Sequence, residues 1–272
     1  MNYSVLMPVY AGTSPEYLKE SIASMLAQTL PPDDFVVICD GPVGEEINAV
    51  LSSHGASIRV VRGKSHTGLG RTLNAGLRFC KNDIVARMDD DDISSPDRCE
   101  KQVRVLEEHP EIGIVSAYVA EFSGGDPANV RSERTVPETQ EEILRFARHR
   151  TPFNHPAVMF RKDAVLKAGG YRPMEKHEDY YLWVRMLQAG VKGYNLQEPL
   201  VYMRASDEMF SRRGGAAHFK TALTFEKYLL ESGFISFREY LRNLSERFIV
   251  EMLIPDAVRA KLYRSVLRRI RR

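Results

Sequence analysis

Short apolar runs of the buried-strand kind alternate with amphipathic stretches through the first 110 residues. This alternation constrains the fold more than any other feature. Tyr3–Val9 and Phe35–Cys39 read as buried strands, followed by Ser57–Val61 and Asp83–Met88. Between them, Ser14 and Pro15 read as N-cap and first residue of an amphipathic helix to about Gln28. Gly68 to about Cys80 is a second helix, with Leu69, Leu73 and Leu77 on one stripe. Ser95 is expected to cap a third, from Pro96 to near Pro110. Strand–helix repetition at this spacing predicts an α/β fold with a parallel sheet covered on both faces. Such sheets bind ligands beyond the carboxyl ends of their strands. Two acidic sites stand there: Asp40 after the second strand, and Asp89-Asp90-Asp91-Asp92 after the fourth.

Beyond residue 110 the rhythm loosens. Ile112–Ala120 reads as a strand, Phe122 to Pro137 as an exposed polar excursion, and Ala157–Phe160 as another strand. A short helix begins near Asp163 and ends at Gly169-Gly170. Glu178-Asp179 opens a helix to about Ala189; strand segments fill Val191 to Arg204, and Ser211 to Gly215 is a loop. Everything from Ala216 on has helical character. The expected division is a main domain over 1–215 and a helical extension over 216–272.

With 43% hydrophobic and 27% charged residues the composition is that of a globular protein, and no apolar run approaches the length of a membrane span. There is no signal-peptide pattern. Cys39, Cys80 and Cys99 lack metal-ligand spacing and suit ordinary thiols of a reducing cytosol. A soluble cytoplasmic protein is expected. The net charge of +2 conceals an asymmetry: residues 259–272 carry seven Lys/Arg and no acid, leaving 31 basic and 36 acidic side chains in the rest. In this tail Leu262, Val266 and Ile270 form a stripe with Tyr263 and Leu267 beside it. Two readings stand open: a solvated helix packed on the body, or a helix resting on anionic lipid, which would place the protein peripherally on the cytoplasmic face of the inner membrane.

Four consecutive aspartates are energetically expensive. Carboxylates about 4 Å apart repel by about 1 kcal/mol per pair in water and about 4 kcal/mol at an effective dielectric of 20. A bound cation offsets this, and oxygen-only ligands select Mg²⁺, Mn²⁺ or Ca²⁺. Asp90 and Asp92 suit an exposed turn. Asp89 and Asp91, which share a face if the strand persists, suit a metal–diphosphate site. Glu178-Asp179 is a second acidic pair, in one stretch with His155, Arg172, His177 and Trp183. A carboxylate in such surroundings is a candidate general base, and Trp183 a candidate face for a sugar ring. Arg204, Arg212 and Arg213 are fork-shaped candidate partners for phosphate, the last two beside Gly214-Gly215. The segment Gly68-Leu69-Gly70-Arg71-Thr72-Leu73 falls short of a dinucleotide fingerprint because its third glycine is replaced by Leu73, so no NAD is expected.

Several of these segments, in this order, resemble the family 2 glycosyltransferases of the GT-A fold. They are SVLMPVY, SMLAQT, CDGP, GLGRTLNAGL, VARMDDDDISSPDR, NHPAVMFRK, GGY, HEDYYLWVRM and SRRGG, spanning at least residues 3–215. The resemblance is narrower to bacterial enzymes building O-antigen, capsule or exopolysaccharide units. It implies that Pro8, Val9, Tyr10 and Asp40 line a uracil pocket, and that Arg71, Asn74, Asp90, Arg204 and Arg212 join the nucleotide-sugar site. Asp89 and Asp91 would match the family's Asp-x-Asp, with Asp89 toward ribose or metal and Asp91 on Mn²⁺ or Mg²⁺. Asp179 would be the base of an inverting transfer and Glu178 would lie beside it, with His155 and Trp183 toward the acceptor. The implied partners are a UDP-sugar donor (UDP-glucose, UDP-galactose or an N-acetylhexosamine donor) and a glycan or lipid-linked glycan acceptor. No nucleic acid is expected, and the C-terminal helices offer a candidate homodimer surface. Two positions depart from the family: Ala11 stands where it often has Asn, and His66 where it has Asn before the GLG segment. A QxxRW motif is absent, so a single addition is expected. Two other readings remain open. A sugar nucleotidyltransferase needs a Gly-rich loop after the first strand, where PVYAGTSPEY holds one glycine. A non-enzymatic lipid- or nucleic-acid-binding protein would act through the basic tail.

Overall fold

The computed structural model describes residues 1–205 and 215–254. Strand β1 (Tyr3–Val9) is buried at every position, as a strand covered on both faces requires. It pairs in parallel with β2 (Asp34–Cys39) on one side and with β4 (Ile84–Arg87) on the other, and β3 (Arg59–Arg62) extends the sheet from β2. Helix α1 (Pro15–Leu26) starts as the sequence predicts: the Ser14 side chain accepts from the Tyr17 amide, and Leu18, Ile22 and Met25 face the sheet. Helix α2 (Glu45–Ser53) is not foreseen by the sequence reading, because only Ile47 and Leu51 are buried on it. Helix α3 (Leu69–Leu77) lies on the opposite face, so close that a Cβ on Gly76 would fall 2.4 Å from Leu6 Cδ1.

The anticipated Ser95 cap is not formed. Strand β5 (Ile93–Ser94) pairs with β9 (Lys192–Arg204), and the Ser95 amide continues the ladder to Leu200 O at 3.0 Å. That pairing keeps the chain extended, so helix α4 (Arg98–Glu108) starts later, with Asp97 at its N-cap, and the Ser95 hydroxyl donates to Asp97 Oδ1 at 2.6 Å.

In the second half, β6 (Ile112–Phe122) pairs in parallel with β9 and antiparallel with β8 (Met159–Arg161), which closes antiparallel onto β4. The expected polar excursion after Phe122 contains a strand instead. β7 (Val130–Arg134) pairs antiparallel with β6, because buried Glu121 accepts from the Ser132 hydroxyl and from Arg134 Nε at 2.6 Å. The described residues form one nine-stranded sheet of order β3-β2-β1-β4-β8-β6-β9-β5, with β7 beside β6.

Helix α5 (Gln140–Phe146) carries a Thr139 capping box; α6 (Lys162–Lys167) and α7 (Glu178–Gln188) cover the α3 face. The C-terminal part continues as α8 (Ala216–Glu231) and α9 (Phe237–Phe248), ending in a wide turn over Ile249–Leu253. Phe225 and Leu229 of α8 pack on Tyr180 and Val184 of α7, so this part is seated directly on α7. All three cysteines are buried free thiols. No described helix is long and apolar enough to cross a membrane. The basic segment 259–272 lies outside the described residues.

Candidate active site

Strands β1, β2 and β4 run parallel and end at the same edge of the sheet. The loops leaving them wall a cleft of about 430 Å³. Pro8, Val9 and Tyr10 come from β1, Asp40 from β2 and Asp89–Asp92 from β4, with Leu69, Thr72, His66, Met203 and Arg204 completing the wall. The sheet topology thus brings together residues that are far apart in sequence.

The four aspartates have four different environments. Since β4 stops at Arg87, the expected shared face of Asp89 and Asp91 does not exist; they sit on a loop. Asp89 forms a two-pronged ion pair with Arg87, whose side chain is 2% exposed. Asp90 accepts from the Thr13 hydroxyl. Asp92 is buried: its Oδ1 accepts from the Arg204 amide at 3.2 Å, and its Oδ2 has no hydrogen-bond partner among the described residues. Asp91 is exposed at the cleft. Burial, then Asp89 and Asp91 beside it, pushes the Asp90 pKa up to about 7 against the pull of Thr13. Loss of water around the crowded loop, together with the neighbouring carboxylates, also raises Asp91, whose side chain reaches the open cleft, and buried Asp92. The charges of Arg87 and Arg204 do not offset four carboxylates, so the loop favours protons or a cation.

Arg204 holds this loop in place. Its Nε donates to Asp91 O at 2.9 Å, it pairs with Glu20, and its guanidinium lies 4.1 Å over the Tyr17 ring. Among the described residues, no group of three His, Cys, Asp or Glu side chains has metal-holding geometry. Mg²⁺ in diphosphate sites needs only one or two carboxylates, its shell being filled by water and phosphate. The exposed carboxylate of Asp91 and the orphaned Oδ2 of buried Asp92 fit a small divalent cation by that criterion.

The second acidic pair opens α7. Lys176, just before it, adopts φ +63°, a conformation that non-glycine residues rarely adopt, at the entry to this helix. Burial raises the Asp179 pKa, partly opposed by the Tyr180 amide and the Arg87 charge. Burial likewise raises Glu178. The α7 start abuts the first turn of α3: a Cβ on Gly70 would lie 3.9 Å from Glu178 Cβ. Leu69, the residue before it, lines the cleft.

Other candidates stand elsewhere. Asn74 does not line the cleft and clamps the turn at Tyr171, accepting from its amide at 2.9 Å and donating to its carbonyl at 2.7 Å. Arg71 is exposed and does not line the cleft. His155 Nε2 lies 2.9 Å from the Tyr171 hydroxyl. Trp183 offers no face to a sugar: it is fully buried among Phe153, His155 and Tyr171, with ring centroids 5.8, 5.8 and 6.4 Å away. Trp183, one turn on from half-buried Asp179, points into the core, so Trp183→Ala is expected to cost about 3–5 kcal/mol in denaturant unfolding. Arg212 and Arg213 lie outside the described residues. Sequence reasoning missed Arg87, Thr13, Leu69, Thr72 and Met203 as parts of this site. Only Arg87 had a visible signal, a charge within an otherwise apolar strand.

Comparison with known proteins agrees with this architecture. Residues 4–169 match the model of Glycosyl transferase family 2. The chain is 35% identical over 269 residues to the UDP-Gal:alpha-D-GlcNAc-diphosphoundecaprenol beta-1,3-galactosyltransferase of Escherichia coli, covering 98% of this chain and 97% of that one. It is 38% identical over 238 residues to the amylovoran biosynthesis glycosyltransferase AmsE of Erwinia amylovora, covering 86% of this chain and 88% of that one. In structure it is similar to the mannosyltransferase PcManGT from Pyrobaculum calidifontis, solved with GDP-Man and Mn²⁺. The TM-score is 0.64 at 15% identity over 96% of this chain and 73% of that one, a likeness of fold. With its sheet, its strand-end aspartates and these relatives, the chain belongs to glycosyl transferase family 2, on the GT-A fold.

Proposed function

We propose that this glycosyltransferase moves one hexose from a UDP-sugar to a lipid-linked glycan acceptor, with inversion, in the building of a bacterial surface polysaccharide. The observation that carries the reading is the cleft walled by Pro8–Tyr10, Asp40 and the aspartate loop, with Asp179 on a helix against its α3 wall. The names of the Escherichia coli and Erwinia amylovora relatives supply the substrate class. Residues 1–215 form the transferase unit and 216–272 its extension.

In this reading Tyr10 and the β2 end receive the nucleoside, and the aspartate loop receives the diphosphate. Asp91 and the orphaned Oδ2 of Asp92 would hold Mn²⁺ or Mg²⁺, which when bound neutralises charge on the departing diphosphate; Asp89, the second carboxylate expected from the sequence, has both oxygens on Arg87. Arg87 limits the repulsion between Asp89 and its neighbours, and Arg204 fixes the loop. Asp179, ionised, takes the proton of an acceptor hydroxyl as that oxygen attacks the anomeric carbon opposite the leaving group. A single displacement inverts the anomeric centre, so an α-linked UDP-sugar gives a β-linked product. Incubating the protein with UDP-sugars and a diphosphate-lipid acceptor tests this: a product longer by one β-linked hexose supports it, and an α-linked or multiply extended product overturns it.

Exposed Phe237, Leu241 and Phe248 share a face of α9, and the sequence beyond residue 254 leads into seven Lys/Arg with no acid. An apolar face followed by concentrated positive charge suits attachment to an anionic bilayer, where each basic side chain contributes about 1 kcal/mol. Removing residues 259–272 is expected to abolish sedimentation with anionic vesicles while leaving UDP affinity unchanged.

A further inference from the structure

Helix α7 carries Asp179 two residues past an N-cap that does not cap. The residue there is His177, and its side chain makes no hydrogen bond to the first amides of the helix, as Ser, Thr, Asp or Asn in that place would. The ring is used elsewhere. Its Nδ1 lies 3.1 Å from the Glu175 carbonyl oxygen, which only accepts, so Nδ1 carries the proton and donates across Lys176. Lys176 is the residue at φ +63°. The His177 ring thus closes the strained turn from which α7 starts.

The same ring is held from outside its own helix. It stacks on Phe225 of α8, with centroids 5.0 Å apart and planes 17° from parallel. Phe225, fully buried, also meets the Tyr180 ring at 4.6 Å, and the Tyr180 hydroxyl donates to Ala147 O at 2.8 Å. One α8 side chain therefore touches the residues on both sides of Glu178-Asp179. Burial, then the Arg247 charge, pushes the His177 pKa down to about 4, so the ring that stacks is neutral.

Helix α8 is a firm platform for this contact. Glu226, next to Phe225, is completely buried and accepts from Asn243 Nδ2 at 2.9 Å and from Arg247 Nε at 3.0 Å, both on α9. The Asn243 amide also donates to Arg148 O at 2.9 Å, just beyond α5. Breaking these bonds would strand a carboxylate away from water, so the two helices are locked together and onto the body.

We propose that His177 is a positioning residue for Asp179, and that helices α8 and α9, through Phe225, belong to the catalytic apparatus. The inference rests on the reading of Asp179 as the base and says what holds that base in place. His177 and Asp179 share the first turn of α7, so a shift of the stacked ring moves the carboxylate with it. A general base must stay within hydrogen-bond reach of the proton it takes, and about 1 Å of misplacement can cost about 100-fold in rate. The nucleotide cleft, walled by the ends of β1, β2 and β4, does not contain His177 or Phe225. Rate and UDP affinity should therefore separate.

The test is steady-state transfer from UDP-galactose, UDP-glucose or UDP-N-acetylglucosamine to a GlcNAc-diphosphate lipid, the acceptor type in the Escherichia coli relative's name. UDP titration with Mn²⁺ and denaturant unfolding accompany it. His177→Ala is expected to lower kcat by about 30-fold while UDP affinity stays within about twofold. His177→Phe keeps a flat ring on Phe225 and should return kcat to within about threefold of the wild type. Phe225→Leu keeps the site apolar without a ring face and should lower kcat by about tenfold; combined with His177→Ala it should add no further loss, because both act through one contact. An unchanged kcat in His177→Ala, or an equal loss in His177→Phe, overturns the proposal. So does a loss of UDP affinity in step with kcat, which marks a damaged fold rather than a displaced base. Asp179→Asn in the same assay separates this proposal from the reading beneath it. If Asp179→Asn keeps its rate, Asp179 is not the base and the proposal falls with it; if it loses its rate and His177→Ala does not, the proposal alone falls. A wild type that transfers from none of the three donors overturns the UDP-sugar reading itself, and this proposal with it.

Discussion

Asp179→Asn is expected to lower kcat by about 10³-fold while leaving UDP affinity within about twofold, because the amide keeps the shape of the carboxylate but cannot take a proton. Steady-state kinetics against a lipid-linked acceptor, beside a UDP titration, checks both halves. A purely structural role gives the opposite result. Asp179 sits in the first turn of α7, and Asn can satisfy the amides of a helix N-terminus nearly as well as Asp, so rate and fold would both survive. The pH dependence separates the two further. Burial raises the Asp179 pKa and the Arg87 charge only partly opposes it. A base acts ionised, so kcat/KM rises with pH through the raised folded-state pKa. The acid limb of the profile therefore lies above the ordinary aspartate value of 3.8, and Asp179→Asn removes it.

Asp91→Asn is expected to weaken UDP binding in Mn²⁺ by about 100-fold and to remove most of the metal dependence. The reason lies in how the four aspartates are occupied. Asp89 is neutralised by Arg87, Asp90 is tied to Thr13, and Asp92 is bonded to the Arg204 amide. Asp91 alone of the four is exposed, with its main-chain carbonyl held by Arg204 and its carboxylate without a hydrogen-bond partner among the described residues. The matching change Asp90→Asn keeps an acceptor for Thr13 and should alter the same affinity only a few-fold. Equal losses in both variants would mean that the loop acts through its total charge rather than through one ligand.

Much of this was legible in the sequence, and the limits have physical causes. The strands of the parallel half announce themselves because a strand buried on both faces must be continuously apolar, as in Tyr3–Val9 and Phe35–Cys39. The acidic residues at the ends of β2 and β4 then mark the ligand edge, because parallel strands leave it open. What escaped depends on partners distant in sequence. Ser95 looks like a cap, but pairing with β9, a hundred residues on, keeps it extended. β7 hides in a polar segment because its own partner, Glu121, is a buried charge. Trp183 looks like a sugar platform until α7 is docked, when its helical position turns it inward.

The central claim is that the cleft at the ends of β1, β2 and β4 binds a uridine diphosphate through a divalent cation. Calorimetric titration of UDP into the wild-type protein, with Mn²⁺ and then with chelator, tests it most directly. The account predicts saturable one-to-one binding with Mn²⁺ that is lost on chelation and restored by fresh Mn²⁺. Binding of equal strength in chelator, or no UDP binding in either condition, would contradict it.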